Sequence, residues 1–461
     1  MVSSSQAQLL DYSPIASRDW PARFGAQFCV ISLICISIAA PPVTIIPGTL
    51  WLRPEELLLP VVGVIYLWFL LAGYARPIRA NGMFLVGLLF CGTTLLSAWY
   101  GAEALHHTVI LRDFYDLPRA LFPVAFFTLA YEAELSEKAL RRLLSFFGVA
   151  VVLVCLYAWA QWVNLGFTQV LNTYYSALNH DSALFYARRV YATFGNANIL
   201  AQFTCWSVAA FALAALFRVG NQIRNIALAL ASLVTLVMTG SRYGLVLGAL
   251  GLALIFALAL ASRRIRGWRL AALPAALVVF GLTFAIVSSS NQGTLERFQT
   301  LENPMQIDSF RGRLDRLWVQ PLADFLQSPI LGHGPAKSIY TDVITDSEYL
   351  DVLKKFGLVG FLIYLGYFLL PLALVWKGLK LARRVGPFLE ERFAATFLAL
   401  RLSFIMCLTA LAMNVFMSTF QNLSLQAFLW LWLGLGARAA RTVRDGVCGF
   451  ASVSEEVNSM H

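Results

Sequence analysis

The chain has 461 residues, of which 59% are hydrophobic and only 13% are charged, and its mean hydropathy is +0.69. Soluble globular domains have roughly 45–50% apolar and about 25% charged residues, so this composition excludes a soluble domain. The formal net charge is +10, but the basic residues lie between apolar runs and form no patch interleaved with aromatics, which argues against a nucleic-acid surface.

Apolar segments of about 20 residues recur along the chain and predict about twelve membrane-spanning helices. The predicted spans are 26–47, 55–73, 81–99, 114–131, 144–166, 197–217, 225–239, 243–261, 268–288, 356–376, 394–416 and 423–437. The fold class is therefore all-α and polytopic. The first residues are polar, with no basic region running into a short apolar stretch, so we expect no cleavable signal peptide.

Loop charges predict the orientation of these spans. Lysine and arginine gather in alternate short loops and in both tails, for example at Arg76, Lys138, Arg224, Arg263, Lys380 and Arg441. By the positive-inside rule these segments are cytoplasmic. The expected organisation is a cytoplasmic tail at 1–25, nine spans within 26–288, a periplasmic loop at 289–355, three spans within 356–437 and a cytoplasmic tail at 438–461.

The longest predicted periplasmic loop contains "FRGRLDRLWVQPLADFLQ", whose apolar residues have amphipathic helical spacing. We expect this loop to form a helical cap at the membrane surface. Two further arginines fall within or near spans. Arg119 is expected to join the external group, and Arg401, nearer the cytoplasmic end, is expected to snorkel.

Two arginine motifs lie near the predicted external side. In "FYARRVYATFGNANILAQF", Arg188 and Arg189 precede a Gly/Asn-rich turn that opens a span, with Asn196 or Asn198 as its N-cap. In "TGSRYG", Arg242 lies in a connection too short to lift it far from the membrane. A charge in such a position is a candidate functional site, although an interfacial or snorkelling arginine gives the same pattern.

The stretch "TDSEYLDVLKKFGLVG" sets several charges directly against an apolar helix. Thr345 and Glu348 have the spacing of a capping box, which gives Glu348 a structural role. Asp351 and the two lysines that follow it are expected to pair along a solvated face. Asp346 has no such role and stands at the helix start, where a carboxylate is favoured. His333, in a "GHGP" turn, is either a candidate base or a solvated side chain.

The ordered set "RRVYATFGNAN", "TGSRYG", "RGRLDRLW…SPILGHGP" and "TDSEYLDVLKKFGLVG", in a chain with about twelve predicted spans, resembles the O-antigen ligase and Wzy-type polysaccharide polymerase superfamily. The motifs cover about 185–365. The resemblance implies a bacterial inner-membrane glycosyltransferase of the GT-C type. Such an enzyme moves a glycan from undecaprenyl-diphosphate to a sugar hydroxyl at the periplasmic face, with no metal, other cofactor or nucleotide sugar.

The resemblance also implies partners and site residues. The partners are the lipid-linked donor, a glycan or lipid A-core acceptor, membrane lipids, and flippase and chain-length regulator proteins, but no nucleic acid. The arginines matched to the diphosphate are Arg188, Arg189, Arg242, Arg311 and Arg313. Arg311, Arg313 and Arg316 are interchangeable at the loop position, because the spacing from Arg313 to Trp318 is one residue longer than the family pattern.

One departure from the family pattern bears on the reaction. Many ligases of the superfamily have a histidine–asparagine pair just before the "YL" helix, where this chain has Asp346 and Ser347. A carboxylate in this place favours a polymerase and makes Asp346 the candidate general base, with Glu348 and His333 as alternatives. A ligase is the second hypothesis. A secondary transporter is the third, disfavoured because ionisable residues gather at the external mouth and no repeat is visible.

Overall fold

The protein is built almost entirely from helices. The computed structural model describes residues 21–39, 43–44, 51–52, 64, 81–133, 135–169, 189–262, 278, 280–286, 289, 311–338, 345–383, 387–417 and 422–459. The α-helices named below are α1 (Pro21–Ser37), α2 (Gly82–Leu105), α3 (Asp116–Tyr131), α4 (Glu137–Val163), α5 (Ala197–Leu216), α6 (Gln222–Met238), α7 (Arg242–Ala261), α8 (Val319–Gln327), α9 (Glu348–Ala382), α10 (Pro387–Arg392), α11 (Ala394–Met413) and α12 (Leu423–Ser459).

Short elements connect these helices. Two 3₁₀ turns lie at Leu111–Tyr115 and Ala192–Phe194, and a π-helical turn lies at Arg313–Leu317. Strands β1 (Val43–Thr44) and β2 (Trp51–Leu52) form a small antiparallel ladder. The first predicted span therefore ends early, because α1 stops at Ser37 and extended backbone follows.

Six helices of the described chain are long and apolar enough to cross a membrane, namely α2, α4, α5, α7, α9 and α11. Helix α6 is apolar but shorter. These helices indicate a multi-pass membrane protein. Apart from the end of the first span, the predicted spans that fall on described residues coincide with helices, whereas 55–73 and 268–288 lie mostly outside the described residues. The count of about twelve spans stays a prediction.

Local sequence explains where many of these helices begin. A side-chain oxygen of the preceding residue accepts a backbone N–H of the first turn and replaces a hydrogen bond that the helix cannot make itself. The capping residues are Asn81 for α2, Ser136 for α4, Asn196 for α5, Asn221 for α6, Ser241 for α7 and Ser347 for α9. Of the two predicted caps of α5, Asn196 is therefore the one used.

Helix α5 forms the centre of the bundle. It contacts α6, α7 and α11, and most of its apolar stretch is buried. Aromatic rings from three helices meet around Phe147 of α4, whose ring centroid lies 4.7 Å from that of Phe428 in α12 and 5.8 Å from that of Phe203 in α5. The indole N–H of Trp206 donates to the Thr409 hydroxyl at 2.9 Å and ties α5 to α11. The start of α5 is therefore held on a rigid support.

The end of the bundle opposite to the candidate site is held by buried charges. The Glu137 carboxylate accepts the Ala395 backbone N–H at 2.6 Å and so caps α11. Arg401 is only 7% exposed, pairs with Glu390 and lies with its guanidinium carbon 3.7 Å from the centroid of the Phe217 ring. The expectation that Arg401 snorkels is therefore wrong, because its charge is neutralised inside the protein.

Candidate active site

Arg189 is held where three helices meet. Its Nε donates to the Thr239 carbonyl at the end of α6 at 2.9 Å, and its Nη2 donates to the Asn198 side chain on α5 at 3.1 Å. The Ser241 hydroxyl, at the start of α7, donates to the same Asn198 oxygen at 2.8 Å. Arg189 and the cap of the helix that begins with Arg242 therefore share one polar support.

Sequence reasoning gave no role to Gln161, yet this residue fixes the segment that carries Arg189. Its side-chain oxygen accepts the backbone N–H groups of Tyr191 and Ala192 at 3.2 Å and 2.8 Å. These donors lie at the start of the 3₁₀ turn Ala192–Phe194, so Gln161 fixes where that turn begins. The only signal in the sequence was a glutamine inside the apolar run "YAWAQWV" near the end of a predicted span.

Three aromatic rings, those of Tyr243, Phe416 and Trp318, connect the start of α7 to the residue before α8. We call these three residues the aromatic bridge. The ring centroid of Phe416 lies 5.5 Å from that of Tyr243 and 6.0 Å from that of Trp318. Arg313 lies within electrostatic range of the Tyr243 hydroxyl. The two arginine motifs are far apart in sequence but are connected through these rings.

Arg313 and Asp346 form an ion pair at the start of α9. Arg313 Nη2 lies 3.1 Å from Asp346 Oδ2, and the two side chains are 20% and 35% exposed. The contact engages Oδ2 of the carboxylate. The structure thus brings together a predicted diphosphate ligand and the predicted base, and it distinguishes Arg313 from Arg311, which is 73% exposed and pairs with Asp315.

The start of α9 is anchored to the end of α11. The Asn414 carbonyl accepts the Glu348 backbone N–H at 2.9 Å and the Ser347 hydroxyl at 3.3 Å. Ser347 is the N-cap, so the predicted capping box from Thr345 is wrong. Glu348 occupies the first helical position and is only 3% exposed. Asp346, one residue before the cap, is therefore placed by a fixed helix terminus.

The lysine-rich first turns of α9 are not solvated as expected. Lys354 is 1% exposed. Lys355 Nζ lies 2.6 Å from Asp351 Oδ2, and these two side chains are 17% and 13% exposed. The predicted pairing within the helix is confirmed for Lys355, but the predicted solvated face is wrong because Lys354 is buried and Lys355 is mostly buried.

A break in α9 at Gly357 explains why the "SPILGHG" loop packs against the "KKFGLVG" segment. Gly357 has φ 62° and ψ −164°, so the helix loses hydrogen bonds there. A Cβ at Gly357 would lie 2.3 Å from the Ile330 carbonyl oxygen, which only glycine permits. The "SPILGHG" loop replaces the lost bonds. The Leu358 N–H donates to the Pro329 carbonyl at 2.8 Å, and the Lys354 carbonyl accepts from the His333 N–H at 3.0 Å.

His333 lies inside this loop rather than beside Asp346. It is 4% exposed. One ring nitrogen, Nε2, lies 2.8 Å from the Asp324 carbonyl, and the other, Nδ1, lies 3.1 Å from His107 Nε2. Because a carbonyl only accepts, Nε2 of His333 carries a proton. Both ring nitrogens of His333 are thus engaged in hydrogen-bond contacts within the loop region. The structure does not bring His333 to the Arg313–Asp346 pair.

A second charged cluster fastens the same loop to α3. Lys337 Nζ donates to Asp116 Oδ1 at 2.7 Å, and its backbone N–H donates to Asp113 Oδ1 at 2.8 Å. Burial lowers the pKa of Lys337, an effect that the Asp116 carboxylate opposes. Arg119 lies 3.6 Å from Asp116 and so joins this cluster rather than the other arginines.

The remaining predicted residues are placed as follows. Arg188 lies outside the described residues, as does the side chain of Arg316. Arg189, Arg242, Arg313 and Asp346 are all partly buried at one end of the bundle. Arginine guanidinium groups offer fork-shaped donors that suit phosphate oxygens, and a carboxylate beside them can accept a proton. The arrangement is thus suited to transfer from a phosphorylated carrier.

The apolar helices indicate a multi-pass membrane protein, and one end of the bundle carries the partly buried arginines. Residues 227–365 match the family model described as O-antigen ligase. The match confirms the resemblance to the O-antigen ligase and Wzy-type polymerase superfamily, and it includes Arg242, Arg313 and Asp346. Over these residues the chain is similar to a family of glycosyltransferase-like enzymes of polysaccharide assembly, and its apolar helices agree with a membrane protein. No curated protein matches the chain.

Proposed function

We propose that the protein is a polymerase of undecaprenyl-diphosphate-linked O-antigen or exopolysaccharide repeat units. It transfers the glycan from the lipid carrier to a sugar hydroxyl at the periplasmic face of the bacterial inner membrane. The observation that carries the proposal is the contact of 3.1 Å between Arg313 and Asp346. It joins a cation for the departing diphosphate to a carboxylate that can take the proton of the attacking hydroxyl.

The proposed roles follow from charge. Bond cleavage at the anomeric carbon leaves negative charge on the diphosphate, and fixed cationic donors stabilise it in the transition state. Arg189, Arg242 and Arg313 supply these donors. The acceptor hydroxyl loses its proton as it attacks, and Asp346 Oδ1 accepts it. The bond from the anomeric carbon to the diphosphate breaks as the new glycosidic bond forms, the lipid diphosphate departs, and the proton on Asp346 passes to the departing diphosphate or to water before the next turnover.

A ligase that moves finished glycan to lipid A-core is the second candidate. The description of the matching family as O-antigen ligase favours it. The carboxylate of Asp346 in place of the usual histidine favours the polymerase. The two functions separate in a deletion strain. One repeat unit on core, with long chains lost, indicates a polymerase, whereas long glycan retained on the lipid carrier indicates a ligase.

The arginine roles are tested by substitution. We expect Arg189→Ala and Arg242→Ala each to reduce transfer by roughly 30-fold to 1000-fold, which corresponds to about 2–4 kcal/mol for a lost charge-assisted contact. Arg242→Lys restores little, because an ammonium lacks the planar fork. Turnover is measured with purified protein and a lipid-linked glycan. Near-normal turnover in both alanine variants contradicts the assignment, and Arg311→Ala serves as the exposed control.

The proposed orientation places the arginine end in the periplasm and both termini in the cytoplasm. In a cysteine-free background, a cysteine at Val109, exposed near the His333 turn, reacts with an impermeant thiol reagent added to spheroplasts. A cysteine at Asn221, exposed at the opposite end, does not. The reverse labelling would invert the topology and remove the periplasmic donor from the proposal.

A further inference from the structure

A second group of arginines lies at the end of the bundle opposite to the candidate active site. We call it the distal arginine cluster, and its members are Arg141 and Arg142 of α4, Arg218 between α5 and α6, and Arg224 in the first turn of α6. Ser145 of α4 joins them, because its hydroxyl oxygen accepts from Arg224 Nη1 at 2.9 Å. The start of α6 is thus held against α4.

Helical spacing gathers these side chains around Ser145. Arg141 and Arg142 precede Ser145 by four and three residues, so the three residues share one face of α4. On the α6 side, Asn225 is fully buried and its amide donates to the Val219 carbonyl at 2.7 Å. The loop that carries Arg218 is therefore fixed beside Arg224.

The cluster has little acidic compensation. Arg141 pairs with Glu137 at 3.3 Å, and that carboxylate also accepts the Ala395 N–H of α11. Within the part of the chain that the structure describes, Arg142, Arg218 and Arg224 form no ion pair with a carboxylate. Like charges held close together repel each other, so an anion bound among these arginines stabilises the arrangement.

Exposed apolar side chains lie directly beside these arginines. Ile223, which precedes Arg224, is 81% exposed, and Ile226 is 50% exposed. On α4, Phe146 follows Ser145 directly and is exposed, as is Val149 one turn further along. Helices of this apolar composition place such side chains against lipid acyl chains. The surface therefore combines a cationic end with an apolar flank.

We propose that the distal arginine cluster binds the phosphate of an anionic phospholipid, whose acyl chains lie on the exposed apolar residues of α4 and α6. Guanidinium groups present paired donors that suit phosphate oxygens, and basic pockets between membrane helices suit lipid head groups of this kind. Free phosphate would leave the apolar flank uncovered. The inference does not rest on the proposed function, because it requires neither donor nor glycan.

The test removes charge from exposed members of the cluster. Arg142→Gln/Arg218→Gln changes two exposed side chains, so the fold is retained. Lys380→Gln/Arg383→Gln is the matched control, since it removes two exposed charges at the end of α9, at the same end of the bundle but outside the cluster. Native mass spectrometry measures the binding of cardiolipin and of phosphatidylcholine to the purified full-length proteins in neutral detergent.

We expect the wild-type protein to bind cardiolipin at least about tenfold more tightly than phosphatidylcholine. Arg142→Gln/Arg218→Gln weakens cardiolipin binding about tenfold or more, whereas the control changes it less than about twofold. An equal loss in both double variants means that net charge alone decides binding, and it overturns the site. So does a wild-type protein without preference for cardiolipin.

Two further measurements test the centre of the site and the source of the phosphate. Ser145→Asp places a carboxylate beside Arg224 and is expected to weaken cardiolipin binding as much as the double variant does. Unchanged binding in this variant contradicts the placement at Ser145. Inorganic phosphate is expected to displace cardiolipin no better than sodium chloride at equal ionic strength, and stronger displacement by phosphate overturns the assignment to a lipid. No donor is present in these assays, so either proposal can fail without the other.

Discussion

Replacing Asp346 by asparagine tests whether its carboxylate is a base or an anchor for Arg313. Asparagine keeps the size and the hydrogen-bonding capacity of the side chain but cannot take a proton. If Asp346 is the base, the loss in kcat is about 10²–10⁴, the usual contribution of a positioned general base. If Asp346 only anchors Arg313, the loss is that of one ion pair.

The structure gives the size of that alternative. The pair is 3.1 Å long, but the side chains are 20% and 35% exposed, so water screens much of the attraction. Exposed pairs measured by double-mutant cycles contribute about 0.2–1 kcal/mol, and the upper value corresponds to about fivefold in rate. The two hypotheses therefore differ by more than tenfold in the expected effect.

Steady-state kinetics with purified protein and lipid-linked repeat units measure this effect. Asp346→Asn is expected to lower kcat at least 100-fold at unchanged donor KM. An anchoring role raises the donor KM instead, through a displaced Arg313. Asp315→Asn is the matched control, since Asp315 is 58% exposed and pairs with Arg311. A fall in kcat of less than tenfold refutes the role of Asp346 as the base. If Glu348→Gln loses activity and Asp346→Asn does not, the base is Glu348 and not Asp346.

Three further predictions concern residues in contact with, or within, the loop before α9. Thermal unfolding of purified protein measures each of them. Gly357→Ala lowers stability by about 1–3 kcal/mol, because φ 62° and a Cβ contact of 2.3 Å strain the chain, whereas Gly92→Ala, with nothing within 4 Å, does not. Lys337→Met costs about 3 kcal/mol by leaving Asp116 buried without its nearest cation. Burial, and secondly the charge of His333, lower the pKa of His107 below 6.5. The stability that the neutral His107 imidazole contributes is therefore complete above pH 6.5 and is lost as the pH falls through the lowered pKa. His107→Gln removes that slope, and a slope unchanged in the variant contradicts the assignment.

Much of the helical architecture is predictable from local sequence, because membrane helices have long apolar runs and polar caps. The Asn196 cap and the apolar runs that became α4 to α7 illustrate this. The sequence also identifies the arginine motifs. Their arrangement is not predictable, because Arg189 is placed by Asn198 and Gln161, which are ordinary polar residues in apolar helices. Nothing local distinguishes a glutamine that supports a neighbouring backbone from one that faces solvent.

The wrong predictions for the first turns of α9 share one cause. The sequence reads as a solvated, capped helix because its charges have helical spacing, so Thr345 and the lysines receive local explanations. In the structure Ser347 caps the helix, and the "SPILGHG" loop donates hydrogen bonds to the carbonyls of Lys354 and Lys355. That loop packs there because Gly357 interrupts the helix and exposes backbone groups that need partners. A contact between distant segments thus overrides a local pattern.

The residue at position 346 is chemically matched to its neighbour. A guanidinium at 3.1 Å attracts a carboxylate and repels a protonated imidazole. With a histidine at 346, Arg313 would oppose the charge that the imidazole gains when it acts as a base. With aspartate, Arg313 holds the resting side chain in place. When a diphosphate competes for that guanidinium, Oδ2 is released as well, so donor binding itself would prepare the carboxylate for the acceptor hydroxyl. Under the proposed function, the same contact would hold the Asp346 carboxylate in place until the donor binds and would then release it for the acceptor hydroxyl.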